Sequence, residues 1–373
     1  MTGNAPFRPW ERPPVPFAVG SVVQATEMID GLPLGIAVLD AAGVCYQVNP
    51  AFAETLQQVA QMQQEFVYES APFAECHAST IVETTPGEFF AAWFGGTKEG
   101  AKDVAIWGAR KKDGVWSAPV ELARETNQST YNPVLFITKD KKLWLFYKHG
   151  LSPKTWNGAK MSSLDGGRTW GEKEYLAAGL YGPIKNKPLL LSDGTVISGT
   201  SVESDYAWSV WVERSTDNAQ SWTKHGPVVY PDQARGIIQP AVVQIGKTIR
   251  MYMRSTERIG FITYSDSKDG GKTWSSAKIT NLPNPNSGID AVGLKDGRIV
   301  LIYNHTAKGR SPLNLAVSKD GDKWSEPMVL ESEPGEYSYP AIIQAADGSL
   351  HATWTWKRLK VKHAVIPLEA LPK

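Results

Sequence analysis

The 373-residue chain is poor in three things that would each point to a function class. It has only two cysteines, Cys45 and Cys76, too few for a disulfide framework or a cysteine-based metal site. No metal and no cofactor is implied. It has almost no net charge, with 39 basic against 38 acidic residues. No broad field therefore recruits nucleic acid or an anionic membrane, and any ligand must be held by a local site. No apolar run reaches the roughly 18 residues that span a bilayer, and the first thirty residues lack the basic start and apolar core of a secretory signal. The expectation is a cytoplasmic protein, or a periplasmic or secreted one if the natural start differs.

What the chain has in quantity is aromatic residues and a repeat. Fourteen tryptophans and thirteen tyrosines suit both β-structure and sugar-stacking surfaces. A turn signature recurs as Ser163-x-Asp165-x-Gly167-x-Thr169-Trp170, Ser215-x-Asp217 with Ser221-Trp222, Ser267-x-Asp269-x-Gly271-x-Thr273-Trp274, and Ser318-x-Asp320 with Trp324. The aspartates step by 52, 52 and 51 residues, and a degenerate copy, Asp113-Gly114-Val115-Trp116, lies 52 residues before the first. Such a period marks a repeated supersecondary unit.

Each unit reads as three short runs of β-branched and aromatic residues, the aspartate turn and a fourth run, as in residues 239–245, 248–254, 260–265 and 275–280. Units begin near His77, Asn132, Asn186, Gln239, Asp290 and Tyr339, which makes six. The sixth contains three runs only. Residues 65–70 can supply its outer strand and close a ring that leaves no open edge. The predicted fold is an all-β, six-bladed β-propeller with aspartate-box turns over residues 65–373, preceded by a short α/β extension over 1–64. In that extension, residues 5–17 form a proline-rich leader, and residues 24–58 resemble the opening fragment of a PAS sensor domain. The aspartate boxes are expected to be structural, since Asp and Ser side chains bond backbone amides in tight turns.

In such a ring the first strand of each blade lines the central channel, so residues at those strand starts converge. They include His77, Asn132, Asn186, Lys187, Gln239, Asp290, Tyr337 and Tyr339. Loops between second and third strands open on the same mouth and add Glu99, Asp103, Lys148, Glu203, Arg254, Arg310 and Arg358. Cationic and phenolic groups with a few carboxylates suit an acidic sugar, because a guanidinium fork binds a carboxylate bidentately.

The aspartate boxes, the six-unit count and the segments at 92–100, 182–188 and 337–340 resemble the sialidase (neuraminidase) superfamily, in its BNR-repeat branch, over about residues 65–368. The resemblance implies an exo-glycosidase that removes a terminal acidic sugar from a glycan. It makes Arg254 and Arg310 the second and third members of a carboxylate-binding arginine triad, Tyr337 the nucleophile, and Glu99 the acid/base with Asp103 as its competitor. Three positions depart from the family pattern: His77 stands where the first arginine belongs, Gln239 where a glutamate activates the tyrosine, and Glu99 where an aspartate is usual. Lys187, Asn186, Asp290, Lys148, Glu203, Tyr339 and Arg358 complete the expected substrate-binding set.

Two alternatives stand beside this reading. In a polysaccharide lyase, the same cations would neutralise a uronate carboxylate while His77 or Tyr337 removed the C5 proton. A glycan-binding propeller without turnover would instead rely on stacking aromatics such as Trp93, Trp156 and Trp208. The expected partner is in each case a glycan, with no nucleic acid and no membrane.

Overall fold

Short runs of β-branched and aromatic residues, punctuated by Gly, Asp and Pro, become antiparallel strands stacked in sequence order. The computed structural model describes residues 62–372, together with the backbone of two short paired strands, Ala37–Leu39 and Cys45–Gln47. It divides into one unit over Met1–Met62 and another over Gln63–Lys373. The proline-rich leader and, apart from that two-strand ladder, the PAS-like stretch lie outside the described residues.

The second unit is a six-bladed β-propeller. The inner strands are Glu75–Thr85, Ser129–Ile137, Leu189–Leu190, Ile237–Ile245, Asp290–Gly293 and Tyr337–Gln344. The first packs beside the second, the third to sixth pack in succession, and the sixth returns to the first. The third inner strand is the shortest and begins later than the sequence pattern suggested, because Pro183 and Pro188 remove amide donors from the stretch before it. The core lies between blades. One cluster holds Phe90 and Ile106 of blade one with Leu135 and Leu145 of blade two, and another holds Ala241 and Tyr252 of blade four with Leu301 of blade five. Full burial of each such aliphatic or aromatic side chain is worth about 1.5–3 kcal/mol.

The ring closes as the repeat count required. Gln63–Phe66 adds to Lys360–Ile366 as the fourth strand of blade six, in a register running from Phe66 opposite Lys362 to Gln63 opposite Val365. Glu65 on this strand accepts hydrogen bonds from His363 Nδ1 at 2.8 Å and from Trp116 Nε1 at 3.1 Å, and pairs with Lys111. One carboxylate thus joins the closing strand to blade six and to the outer part of blade one. His363 Nε2 in turn shares a proton with His351 Nδ1 at 2.9 Å, inside the sheet.

The aspartate boxes are turn locks. Asp165 Oδ1 accepts from Ser163 Oγ at 2.7 Å and from the backbone N–H of Thr169 at 2.9 Å, while Gly167 N donates to Ser163 Oγ at 2.7 Å. The same bonds recur around Asp217, Asp269 and Asp320. Each box tryptophan packs on the preceding blade. Trp170 meets Phe90 at 5.8 Å between ring centroids, Trp222 meets Phe146 at 5.8 Å, Trp324 meets Tyr252 at 5.5 Å, and Trp274 joins the cluster of Ile197. The degenerate copy is a different device: Asp113 and Gly114, at φ 51° and 81°, form the two-residue loop of a hairpin, the geometry whose twist matches its strands. Asp217→Ala is therefore expected to cost about 1–2 kcal/mol of stability through lost turn bonds, as read by thermal melts.

On four inner strands, one residue stands in the left-handed region: Ala78, Asn132, Gln239 and Tyr339, at φ 56°, 42°, 54° and 51°. The strand register slips beside each, between His77 and Thr80, between Phe146 and Lys148 opposite Asn132, between Ile238 and Ala241, and between Ser338 and Ala341. A β-bulge re-aims the side chains at its kink. Here the repeated bulge sets the channel mouth apart from the regular sheet below it.

Candidate active site

The bulges surround a cavity of about 230 Å³ at the channel mouth. Tyr339, His77 and Gln239 line it from three inner strands, with Arg254, Arg310 and Arg358 around them. Glu99 and Glu203 supply its carboxyl groups, and Tyr131, Trp156 and Trp208 its aromatic surface.

Tyr339 is the best-held of these groups. Its Oη accepts hydrogen bonds from Gln239 Nε2 at 3.1 Å and Arg254 Nη1 at 3.0 Å. Arg254 Nη1 also donates to Gln239 Oε1 at 3.2 Å, and its Nε to Asn286 Oδ1 at 2.9 Å. With two N–H donors on the phenol oxygen, the arrangement suits negative charge developing there. The Tyr339 ring lies 4.2 Å from the His77 ring, and the Arg254 and Arg310 guanidinium carbons stand 5.9 and 5.8 Å from its centroid.

His77 is a neutral imidazole. Burial first, and then the charges of Arg358, Arg310, Arg254 and Lys185, hold its pKa well below the ordinary 6.5. Its Nδ1 lies 3.5 Å from Ser338 Oγ.

Arg310 and Arg358 share one carboxylate. Arg310 Nη1 donates to Glu336 Oε1 at 2.9 Å, and Arg358 Nε to both Glu336 oxygens at 3.1 and 3.2 Å. Burial works against the ionised form of Glu336, but the two arginines override it and hold the carboxyl below its usual range. Arg358 Nη1 also donates to Glu99 Oε2 at 2.7 Å. Lys357 and Arg358 both take left-handed φ, 51° and 59°, and the Arg358 carbonyl accepts from Cys76 N at 2.8 Å. This turn brings an arginine from blade six beside His77, the position where the resemblance called for an arginine from blade one.

Glu203 stands at the end of the second strand of blade three, Val196–Glu203. Burial pushes its carboxyl up, against the opposing charges of Arg254 and Arg235.

Several expected site residues lie elsewhere. Tyr337 is 1% exposed and does not line the cavity. Its N–H bonds to the Arg310 carbonyl at 2.9 Å, and its carbonyl accepts from Asn304 Nδ2 at 3.0 Å. It builds the frame, and the bulge two residues on turns Tyr339 to the mouth in its place. Asp103 bonds the N–H and Oγ1 of Thr97, at 2.8 and 2.6 Å, and so braces the loop that carries Glu99 without lining the cavity itself. Lys187 and Asp290 pair at 2.8 Å, and Asp290 also accepts Ile342 N at 2.9 Å, tying blades three, five and six together. Asn186 Nδ2 donates to the Gln239 carbonyl at 3.1 Å. Lys148, fully buried, donates to the Pro183 carbonyl at 2.8 Å, and burial pushes its ammonium down to about 7. Trp93 is in the core. Two residues escaped the sequence reading, Glu336 and Asn286. Glu336 had a signal, since it directly precedes the Tyr-Ser-Tyr-Pro segment. Asn286 had none.

Residues 87–352 match the family model described as BNR repeat-like domain. The chain belongs to the BNR repeat-like family. Solved structures carry the same propeller. The NanB sialidase of Streptococcus pneumoniae aligns at a TM-score of 0.69 and 14% identity, over 84% of this chain and 73% of that one. The intramolecular trans-sialidase of Ruminococcus gnavus aligns at 0.65 and 14%, over 83% and 97%. A protein of unknown function from Dyadobacter fermentans aligns at 0.69 and 15%, over 82% of this chain and all of that one. No curated protein matches the sequence. At these identities the structural likeness establishes the sialidase-type propeller and leaves the chemistry to the BNR repeat-like site itself.

Proposed function

We propose that the protein is a retaining exo-glycosidase acting on a terminal acidic sugar, sialic acid or a related one, of a glycan. The observation that carries this is the Tyr339 hydroxyl, held by Arg254 and Gln239 in a cavity with three arginines. Arg254, Arg310 and Arg358 grip the sugar carboxylate. Tyr339 Oη attacks the anomeric carbon as the bond to the leaving oxygen breaks, and that oxygen takes a proton from Glu99. A water molecule, deprotonated by Glu99, then displaces Tyr339 and restores the phenol. A phenol is the suitable nucleophile where the anomeric carbon bears a carboxylate, and sialidases are the known exception to the two-carboxylate rule. Gln239 cannot accept the tyrosine proton. Glu203, a raised carboxyl in the same cavity, supplies that base.

One observation favours a second reading, β-elimination from a uronate-containing glycan. The neutral His77 lies against Tyr339, a base and an acid suited to taking the C5 proton and protonating the leaving oxygen. Incubation with sialosides and uronate oligosaccharides separates the two. Release of a sugar without new ultraviolet absorbance is expected; absorbance of an unsaturated uronate as the main signal would replace hydrolysis with elimination. If neither appears while glycans still bind, both catalytic readings fail.

A further inference from the structure

One buried cation beside the cavity has no part in the chemistry above. Lys185 is 3% exposed, and its Nζ donates to Asn186 Oδ1 at 2.8 Å, to the Ile289 carbonyl at 2.9 Å and to the Pro340 carbonyl. We propose that Lys185 is a positioning residue for Tyr339, an ammonium that reaches across the channel from blade three and fixes the bulge presenting the phenol; this rests on the reading that Tyr339 is the nucleophile.

The sequence frees this lysine from the sheet. Pro183 and Pro188 remove amide donors on either side of it, and the inner strand of blade three starts only at Leu189. The base from which it extends is fixed. Lys148 Nζ holds the Pro183 carbonyl at 2.8 Å, Ile184 N donates to the Gly199 carbonyl at 3.1 Å, and the Ile184 carbonyl accepts from Asn132 Nδ2 at 3.1 Å. In a ring of six, blade six faces blade three, and Ile289 leads into the inner strand of blade five. One side chain therefore joins three blades.

Its bonds fall where the site geometry is least ordinary. Tyr339 and Gln239, whose side chains meet at the phenol oxygen, both hold left-handed φ, 51° and 54°, and a residue with a Cβ keeps that conformation only where its surroundings impose it. Lys185 binds the carbonyl directly after Tyr339, and its neighbour Asn186 gives Nδ2 to the carbonyl of Gln239 at 3.1 Å. Two adjacent residues thus hold both bulges, and the Lys185 Nζ stands 5.9 Å from the centroid of the Tyr339 ring. Burial, with the charges of Lys187 and Arg254, pushes the lysine down to about 7 against the pull of Asp290. Three acceptors oppose this, since a neutral amine would turn its lone pair on one of them.

Lys185→Met keeps the length of the stem and removes the donors. In the full chain labelled with carbon-13 at the tyrosine Cζ, Tyr339→Phe identifies the Tyr339 line among the thirteen tyrosines. Lys185→Met is expected to move that line and to lower kcat on an aryl sialoside about 100-fold, with KM within about threefold. Lys160→Met removes another buried lysine, one that donates to the Gln220 carbonyl at 3.2 Å, and should leave both readings as in the wild type. An unmoved line overturns the assignment whatever the rate, and so does a kcat within about twofold of a wild type that turns over. A wild type without turnover, together with a moved line, leaves Lys185 as the tie that holds the phenol and removes hydrolysis from the site. Should Lys185→Met fail to fold, Lys185→Gln, which retains two donors on a shorter arm, takes its place; loss of the fold in both makes the lysine part of the frame alone and overturns the proposal.

Discussion

Tyr339→Phe is expected to lower kcat on the acidic glycan by on the order of 10³-fold or more, with KM within about threefold. The change removes one oxygen and little else. Arg254 still bonds Gln239 Oε1 at 3.2 Å, Gln239 Nε2 gives up its bond to the hydroxyl, and the ring keeps its place against His77. A loss of this size with an unchanged melting temperature assigns the hydroxyl to the chemistry. The companion Tyr337→Phe carries the contrast. That ring is buried and its anchoring bonds come from its backbone, so kcat should stay within about twofold. Rates in the reverse order would return the nucleophile to Tyr337 and overturn the site as drawn.

Acid is expected to destabilise the propeller well before ordinary carboxylates titrate. His351 and His363 sit inside blade six, bonded to each other, with His351 stacked on Phe89 at 3.9 Å. Burial first, then the neighbouring His363, pushes His351 down to about 3; burial likewise lowers His363, against the bond from Glu65. A depressed histidine pKa means that the unfolded chain binds the proton first. Its stability contribution is therefore complete above about pH 6.5 and falls as the pH drops toward the folded value. The slope approaches roughly 1.4 kcal/mol per pH unit for each such histidine. Glu65 adds to the loss lower down. Burial raises its pKa, but the bonds from His363 and Lys111 prevail and hold it at about 2, so its contribution is complete above 4.5 and disappears toward 2. Denaturant melts from pH 8 to 4 should show the midpoint falling steadily below about 6.5, with a shallower fall in His351→Leu. A flat wild-type profile across that range would refute the buried pair as its source.

The scaffold was largely legible because its markers are local. An aspartate that locks its own turn must keep its Ser and Thr partners within a few residues, so the boxes survive as a readable period, and the period located six blades and the missing outer strand of the sixth. The site was less legible because it depends on bulges. In a regular strand Tyr337 and Tyr339 would point to the same face, and the motif favoured the first. The left-handed turn of the chain at Tyr339 decides otherwise, and nothing in a Tyr-Ser-Tyr-Pro segment announces it. Arg358 illustrates the same limit. Its position in a loop could be read from the sequence, but its arrival beside His77 follows from two successive left-handed residues. Asp290 stands on an inner strand as expected, whereas Asn186 and Lys187 precede theirs, and all three spend their polar atoms on other blades.

The join between blade six and blade one runs through the channel mouth. Arg358 on blade six holds Glu99 on blade one, Cys76 bonds the Arg358 carbonyl, and Ala78 N reaches Thr355 Oγ1 at 3.1 Å across the same line. If that join unzips, the residues that line the cavity part company while the remaining blades can keep their sheets. The cavity is consequently a gauge of circular integrity, and a molecule can be almost wholly folded and already have lost it.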